Sequence, residues 1–302
     1  MQQKQNPNSY RMPERFVRRR KALRAIQLKQ EGALRTIWRR ISSQLTRQNA
    51  SYMRIHGKDY VLTLSERASF KAYLQRAISH AANNTFSLIK SAMREAIRLE
   101  LKMVTLQYNI SLEDIDINKV QYALRDKLLA KPFPGTDLTL QQRIRAYAGK
   151  AMLNIAPYID LETQAERDSA MKVIRKQMSY AKPGSAGVPG GTISKDIARL
   201  NRTEQARAVR EADLLAYKVA DLDFLHWRLG PGHNWEDGLE ICEKLAAGMG
   251  AGVETELIEA GIDTSTVDLE GLYNAAAFPA IPHPNCICSA VPIVFEKHNQ
   301  NK

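Results

Sequence analysis

Cysteine is nearly absent from this chain: 302 residues hold three thiols, Cys242, Cys286 and Cys288. That is too few for the disulfide framework of a small secreted domain. Long apolar runs are missing as well. No 18 consecutive apolar residues occur, so no membrane-spanning helix is expected. The basic N-terminus lacks the apolar stretch of a secretory signal. The expectation is a protein made in a reducing cytoplasm, with no membrane partner. Acids are scarce at one end. Residues 1–50 carry thirteen Lys and Arg against Glu14 and Glu31, a net +11 out of +12 for the whole chain. The excess is therefore a basic arm on a nearly neutral body, and such a segment seeks polyanions. Aromatics are thin there too (Tyr10, Phe16, Trp38), which argues against stacking on bases and for neutralising phosphates. Within Lys4–Arg47, the expected phosphate contacts are Arg18, Arg19, Arg20, Lys21, Arg24, Arg35, Arg39 and Arg40.

Catalytic constellations are also lacking. There is no G-x-x-x-x-G-K-[ST] phosphate loop, and the glycines at 184–191 have neither the lysine nor the strand-to-helix context. No G-x-S-x-G, H-E-x-x-H or kinase set occurs. The paired acids Glu113-Asp114 and Glu236-Asp237 are sequence neighbours, and neighbours on a helix do not face one reacting atom. A nucleophile–base pair of Cys286 and His283 would lack an orienting third group. The chain is read as non-enzymatic.

What is present is helical periodicity. Residues 58–131 contain neither Gly nor Pro. A helix is expected from about Glu14 to Leu45, with Leu34, Ile37, Trp38, Ile41 and Leu45 on one face. A long helix follows Thr63-Leu64-Ser65-Glu66, which has capping-box spacing. Its buried face runs from Phe70 and Leu74 to Leu101 and Val104. A shorter helix is expected around Ile117–Leu129. Thr139-Leu140-Gln141-Gln142 is a second capping box, opening a helix to about Ile155 that Pro157 should break. Further helices are expected from about Leu161 to Tyr180 and from Ser194 to Ala220. Lys182 to Gly191 reads as a Gly/Pro linker. Beyond 221, Phe224–Leu229 and Ala290–Phe295 read as strands, the second at a sheet edge because of Pro292. Short helices are expected at Glu236–Gly248 and Thr255–Ala260. The fold class is mainly α: a long-helix N-terminal half and a small α+β C-terminal module. The division is 1–50 (basic arm and helix), 51–181 (helical domain), 182–191 (linker) and 192–302 (a helix plus the Cys/His-containing module).

The cysteines cluster around His283-Pro284-Asn285-Cys286-Ile287-Cys288. With Cys242 they offer four ligands of a kind and number that suit a structural zinc: Cys242, His283, Cys286 and Cys288, with His233 as a substitute. A pair spaced Cys-x-Cys reaches one ion only from a loop. Two alternatives stand beside zinc: buried thiols packed as small hydrophobes, and a disulfide from Cys242 to one of the pair.

The same hexapeptide, followed by Val291-Pro292-Ile293, resembles the HPNCRC-type ending of the phage head morphogenesis family, the minor head proteins similar to protein F of phage Mu. Upstream, Ile197-Ala198-Arg199 and Arg202-Thr203-Glu204-Gln205-Ala206-Arg207-Ala208 resemble that family's I-A-R-T-E…A helix, which precedes a Trp-containing strand, here Trp227. Order and spacing match over about 140–295. Ile287 stands where the family usually has Arg, and Cys242 alone stands where it often has Cys-x-x-Cys. The resemblance implies a virion component inside the capsid near the portal vertex. Its implied partners are the portal protein, the inner surface of the major capsid protein and packaged double-stranded DNA. Its implied roles are head assembly, packaging or DNA delivery. The rivals are a cytoplasmic nucleic-acid-binding protein without sequence preference and a Cys/His enzyme.

Overall fold

A computed structural model describes residues 14–57, 59–108, 116–133, 136–161, 164–178, 192–219, 222–229, 239–274 and 289–293. It is mainly helical, with a small antiparallel sheet near the C-terminus. The tail before residue 14 and the Gly/Pro segment 182–191 lie outside the described residues.

Two long helices form a hairpin. Helix α1 runs Glu14–His56 and α2 runs Leu64–Tyr108. The apolar stripe of α1 is buried as expected at Leu34, Trp38, Ile41 and Leu45, but the helix continues eleven residues past Leu45. Its last turns are held by Tyr52, which packs against the core, and by a polar contact: Asn49, itself buried, donates Nδ2 to Asp168 Oδ1 at 3.1 Å. Gly57 ends it with φ +89, a left-handed conformation that suits glycine, and its N–H bonds Met53 O at 2.9 Å.

The start of α2 has the capping box read from sequence. Glu66 N–H donates to Thr63 Oγ1 at 3.2 Å, and Thr63 N–H donates to Glu66 Oε2 at 2.8 Å. The carboxylate also accepts from the Thr63 and Tyr60 hydroxyls. These bonds, the Thr63 amide first, pull the Glu66 pKa below its usual value.

Around α2 pack α1, α3 (Ile117–Ala130), α4 (Leu140–Ile159) and α6 (Thr192–Val219), with α5 (Gln164–Met178) against α1, α4 and α6. The second capping box is also present, Thr139 with Gln142. Pro157 does not break α4, which continues to Ile159. A proline deprives the carbonyl four residues back of its partner. Here that residue is Leu153, 76 % exposed, so water is at hand for its carbonyl, and only one turn remains to be closed. The hairpin tip is tied to the α4–α5 turn by Arg167, which donates to Tyr60 O (2.7 Å) and Leu161 O (3.2 Å).

Strand β1 (Phe224–Arg228) is central, between β2 (Leu272–Asn274) and β3 (Ser289–Pro292), both antiparallel to it. Pro292 does lie on an edge strand, opposite Leu225. Residues of β1 alternate. Leu225 and Trp227 join the helical core, which runs without a break from Leu34 to Ala290, while Phe224 joins a satellite core with Leu272, Val253 and Leu257. The latter two come from α8 (Val253–Glu259), and α7 (Leu239–Ala247) packs on β1.

Candidate nucleic-acid interface

Helix α1 presents two unlike faces. Its inner face holds Leu34, Trp38, Ile41 and Leu45, and the buried carboxylate of Glu31. Arg202 of α6 approaches Glu31, Nε to Oε1, at 3.9 Å. Burial raises the Glu31 pKa, and Arg202, Arg24 and Arg35 oppose that rise. Arg24 also hydrogen bonds Gln27, and Arg35 is half-buried. Two of the arginines expected to meet phosphate thus direct part of their field at a carboxylate inside the protein.

The outer face is cationic along its length. Lys29, Arg40, Arg47 and Arg54 are all exposed. They follow one another at steps of eleven, seven and seven residues. An eleven-residue step advances an α-helix by about 20° and a seven-residue step sets it back by about 20°, so the four stay within about 40° of one line. At about 1.5 Å per residue the line is about 38 Å long. None of the four pairs with a carboxylate among the described residues. Lys21 and Arg39 are exposed too, about a fifth of a turn aside. The backbone at Arg18, Arg19 and Arg20 is helical, and their side chains lie outside the described residues. Lys29, Arg47 and Arg54 were not singled out from sequence. The signal for them was the eleven-and-seven spacing, which becomes legible once the helix is known to reach His56.

Of the proposed zinc ligands, His283, Cys286 and Cys288, with the alternative His233, lie outside the described residues. Cys242 on α7 is fully buried in the main apolar core, and its carbonyl accepts the Trp227 indole N–H at 3.1 Å. These surroundings suit a packed thiol. Among the described residues no group of three or more His, Cys, Asp or Glu is gathered for a metal.

A second polar assembly went unnoticed in the sequence. Helix α6 is buried on nearly all sides, yet Asn201, Thr203, Glu204, Gln205, Arg207, Arg210, Glu211 and Asp213 are among its buried residues. Arg207 Nη1 donates to Glu204 Oε1 at 2.7 Å, with side-chain exposures of 7 % and 0 %. Gln205 donates to Asn201 at 3.0 Å. The Arg210 guanidinium lies 4.9 Å from the Trp227 ring centre. Lys127 of α3 and Lys131, the residue after its end, reach Glu211 at 3.5 and 3.3 Å. The motif Arg202–Ala208 is thus largely interior; its polar groups pair mainly along α6, and Arg202 reaches Glu31 of α1. Desolvation raises the Glu204 pKa, and Arg207 opposes it.

No family model, curated protein or solved structure matches this chain.

Proposed function

We propose that this protein is a minor head protein of a phage particle, seated inside the capsid near the portal vertex, where it binds the portal or inner capsid wall and touches packaged DNA. The observation that carries the reading is the outer face of α1: a cationic line, unpaired among the described residues, on a helix whose other face is fixed in the core. A rigid cationic rod neutralises phosphates without reading bases. The motif order of residues 197–288 supplies the resemblance to head morphogenesis proteins. The helical body supplies surface for protein partners, and its role is to hold DNA and capsid together without transforming a substrate.

Two measurements test this. The polypeptide should co-purify with intact heads after nuclease treatment of their exterior; its absence removes the virion reading. The purified protein should bind duplex DNA of unrelated sequences equally, with log K falling steeply against log salt, by about 0.9 per phosphate contact. A flat response removes the DNA reading.

The zinc clip of Cys242, His283, Cys286 and Cys288 belongs to the same proposal. Zinc there would knit the C-terminal module together and supply no chemistry. Elemental analysis should find about one equivalent per chain, and chelation should then lower the melting temperature. A metal-free protein of unchanged stability would leave Cys242 as a packed thiol.

A further inference from the structure

Between α1 and α2, on the side of the hairpin near Arg40, lies a groove of about 560 Å³. Its apolar lining comes from Ile37 and Ile41 of α1 and Ala77 and Ala81 of α2. Its charged residues are both cationic, Arg40 from α1 and Arg76 from α2; Gln44, Tyr73, His80 and Asn84 add neutral polar groups that can donate. Arg76 and His80 stand four residues apart and so share one face of α2. No residue lining the groove is acidic. Arg40, Arg76 and His80 are exposed, and neither arginine pairs with a carboxylate among the described residues. Asn84 sits against His80, Nδ2 to Nδ1, at 3.2 Å. With the amide donating there, the ring keeps its own N–H on Nε2 as a further donor.

We infer that this groove is a second phosphate-binding element, in which Arg76 and His80 of α2 join Arg40 of α1 on the backbone of duplex DNA. The inference rests on the DNA reading above and extends it from one helix to two. Three features favour a phosphodiester backbone. Arg40 belongs both to the groove and to the cationic line of α1, so a strand lying along α1 meets the groove without changing course. Arginine forks match phosphate oxygens geometrically. The unbroken positive sign of the lining would concentrate a polyanion there. Binding from two helices also fixes the angle of the DNA to the hairpin, which a single line of charges leaves free.

The test uses the full chain and a short duplex of random sequence, followed by fluorescence anisotropy over a salt series. Arg76→Ala should weaken binding about 3- to 10-fold and lower the salt slope by about one. His80→Gln should weaken it less and leave the slope nearly unchanged, while Arg76→Lys should restore the wild-type slope. Both positions are exposed on a helix, and alanine favours helix; circular dichroism and melting confirm the fold, with Arg76→Gln as the second variant. If the Arg76 variants bind with wild-type affinity and slope while charge reversal on α1 abolishes binding, the groove serves another partner, such as an acidic helix, and the inference falls while the DNA reading stands. If the wild-type protein binds no DNA at all, both fall.

Discussion

Arg207→Met should cost about 3–5 kcal/mol at pH 7, the usual penalty for stranding one member of a buried ion pair. In a chain of this size that lowers the melting temperature by roughly 5–8 °C. The reason lies in what remains behind. Glu204 has no exposed side-chain surface, Arg207 is its ion-pair partner at 2.7 Å, and its second oxygen, Oε2, has no hydrogen-bond partner among the described residues. Methionine fills much of the volume of the arginine stem and brings no charge. The loss should depend on pH, with a definite sign. Burial already lifts the Glu204 pKa above the ordinary carboxylate value of 4.5, and Arg207 works against that rise. Without Arg207 the folded-state value climbs further. The native state then holds its proton more tightly than the unfolded chain. The stability this supplies is complete below about 4.5 and is lost as pH rises through the folded value. The variant should therefore approach the wild type at about pH 4 and fall increasingly behind it as pH rises to about 7. Denaturant titrations at the two pH values measure this directly. Glu204→Leu combined with Arg207→Met should recover most of the loss, because an apolar pair of similar size needs no desolvation to be overcome. A single variant as stable as wild type at pH 7 would show that the pair does not bear on folding.

That prediction sits where the sequence was hardest to read. Helix ends written in local chemistry were legible: Thr63 with Glu66 and Thr139 with Gln142 form capping boxes by spacing alone, and both are made. Apolar stripes were legible for the same reason, since Leu34, Trp38, Ile41 and Leu45 need only the helical period to be grouped. The end of α1 was not, because its last buried contact is Asn49 with Asp168, a polar pair more than a hundred residues apart in sequence. Pro157 reads as a breaker in sequence, because the exposure of Leu153 that lets the helix pass it is a property of the fold. The strand Leu272–Asn274 is three residues long and carries no alternating pattern to find. Helix α6 is the deepest case. A helix buried all round is expected to be apolar, and this one is not. Its charges are tolerated because they meet each other and their neighbours, as Glu204 meets Arg207 and Glu211 meets Lys127 and Lys131. The pairings of Glu211 with Lys127 and Lys131 join different elements and leave no trace in a one-dimensional pattern, while Glu204 and Arg207 are three residues apart on one helix and only their burial is hidden there. The cationic face was half legible: net charge marked the arm, but only the helix reaching His56 brings Lys29, Arg40, Arg47 and Arg54 onto one line.

Reversing that line should have the larger effect on binding. The triple variant Lys29→Glu, Arg47→Glu, Arg54→Glu is expected to lose at least about 100-fold in affinity for duplex DNA near 0.1 M salt, and to lower the salt slope by about three, one for each phosphate contact removed. Arg40 is left in place so that the groove it shares with α2 is undisturbed. Stability should change little, since the three residues are exposed and make no ion pair among the described residues; surface substitutions of this kind usually fall within about 0.5 kcal/mol each. Geometry gives the experiment a sharper form. A control triple variant at Arg24, Arg35 and Lys21 changes the net charge by the same amount, but two of its members help hold Glu31 ionised inside the protein. If phosphate binding follows the outer face, the control should lose less affinity and more stability than the line variant. Equal losses of affinity from the two variants would mean that charge alone, without the register of the helix, attracts DNA, and the rod-like interface would have to be given up.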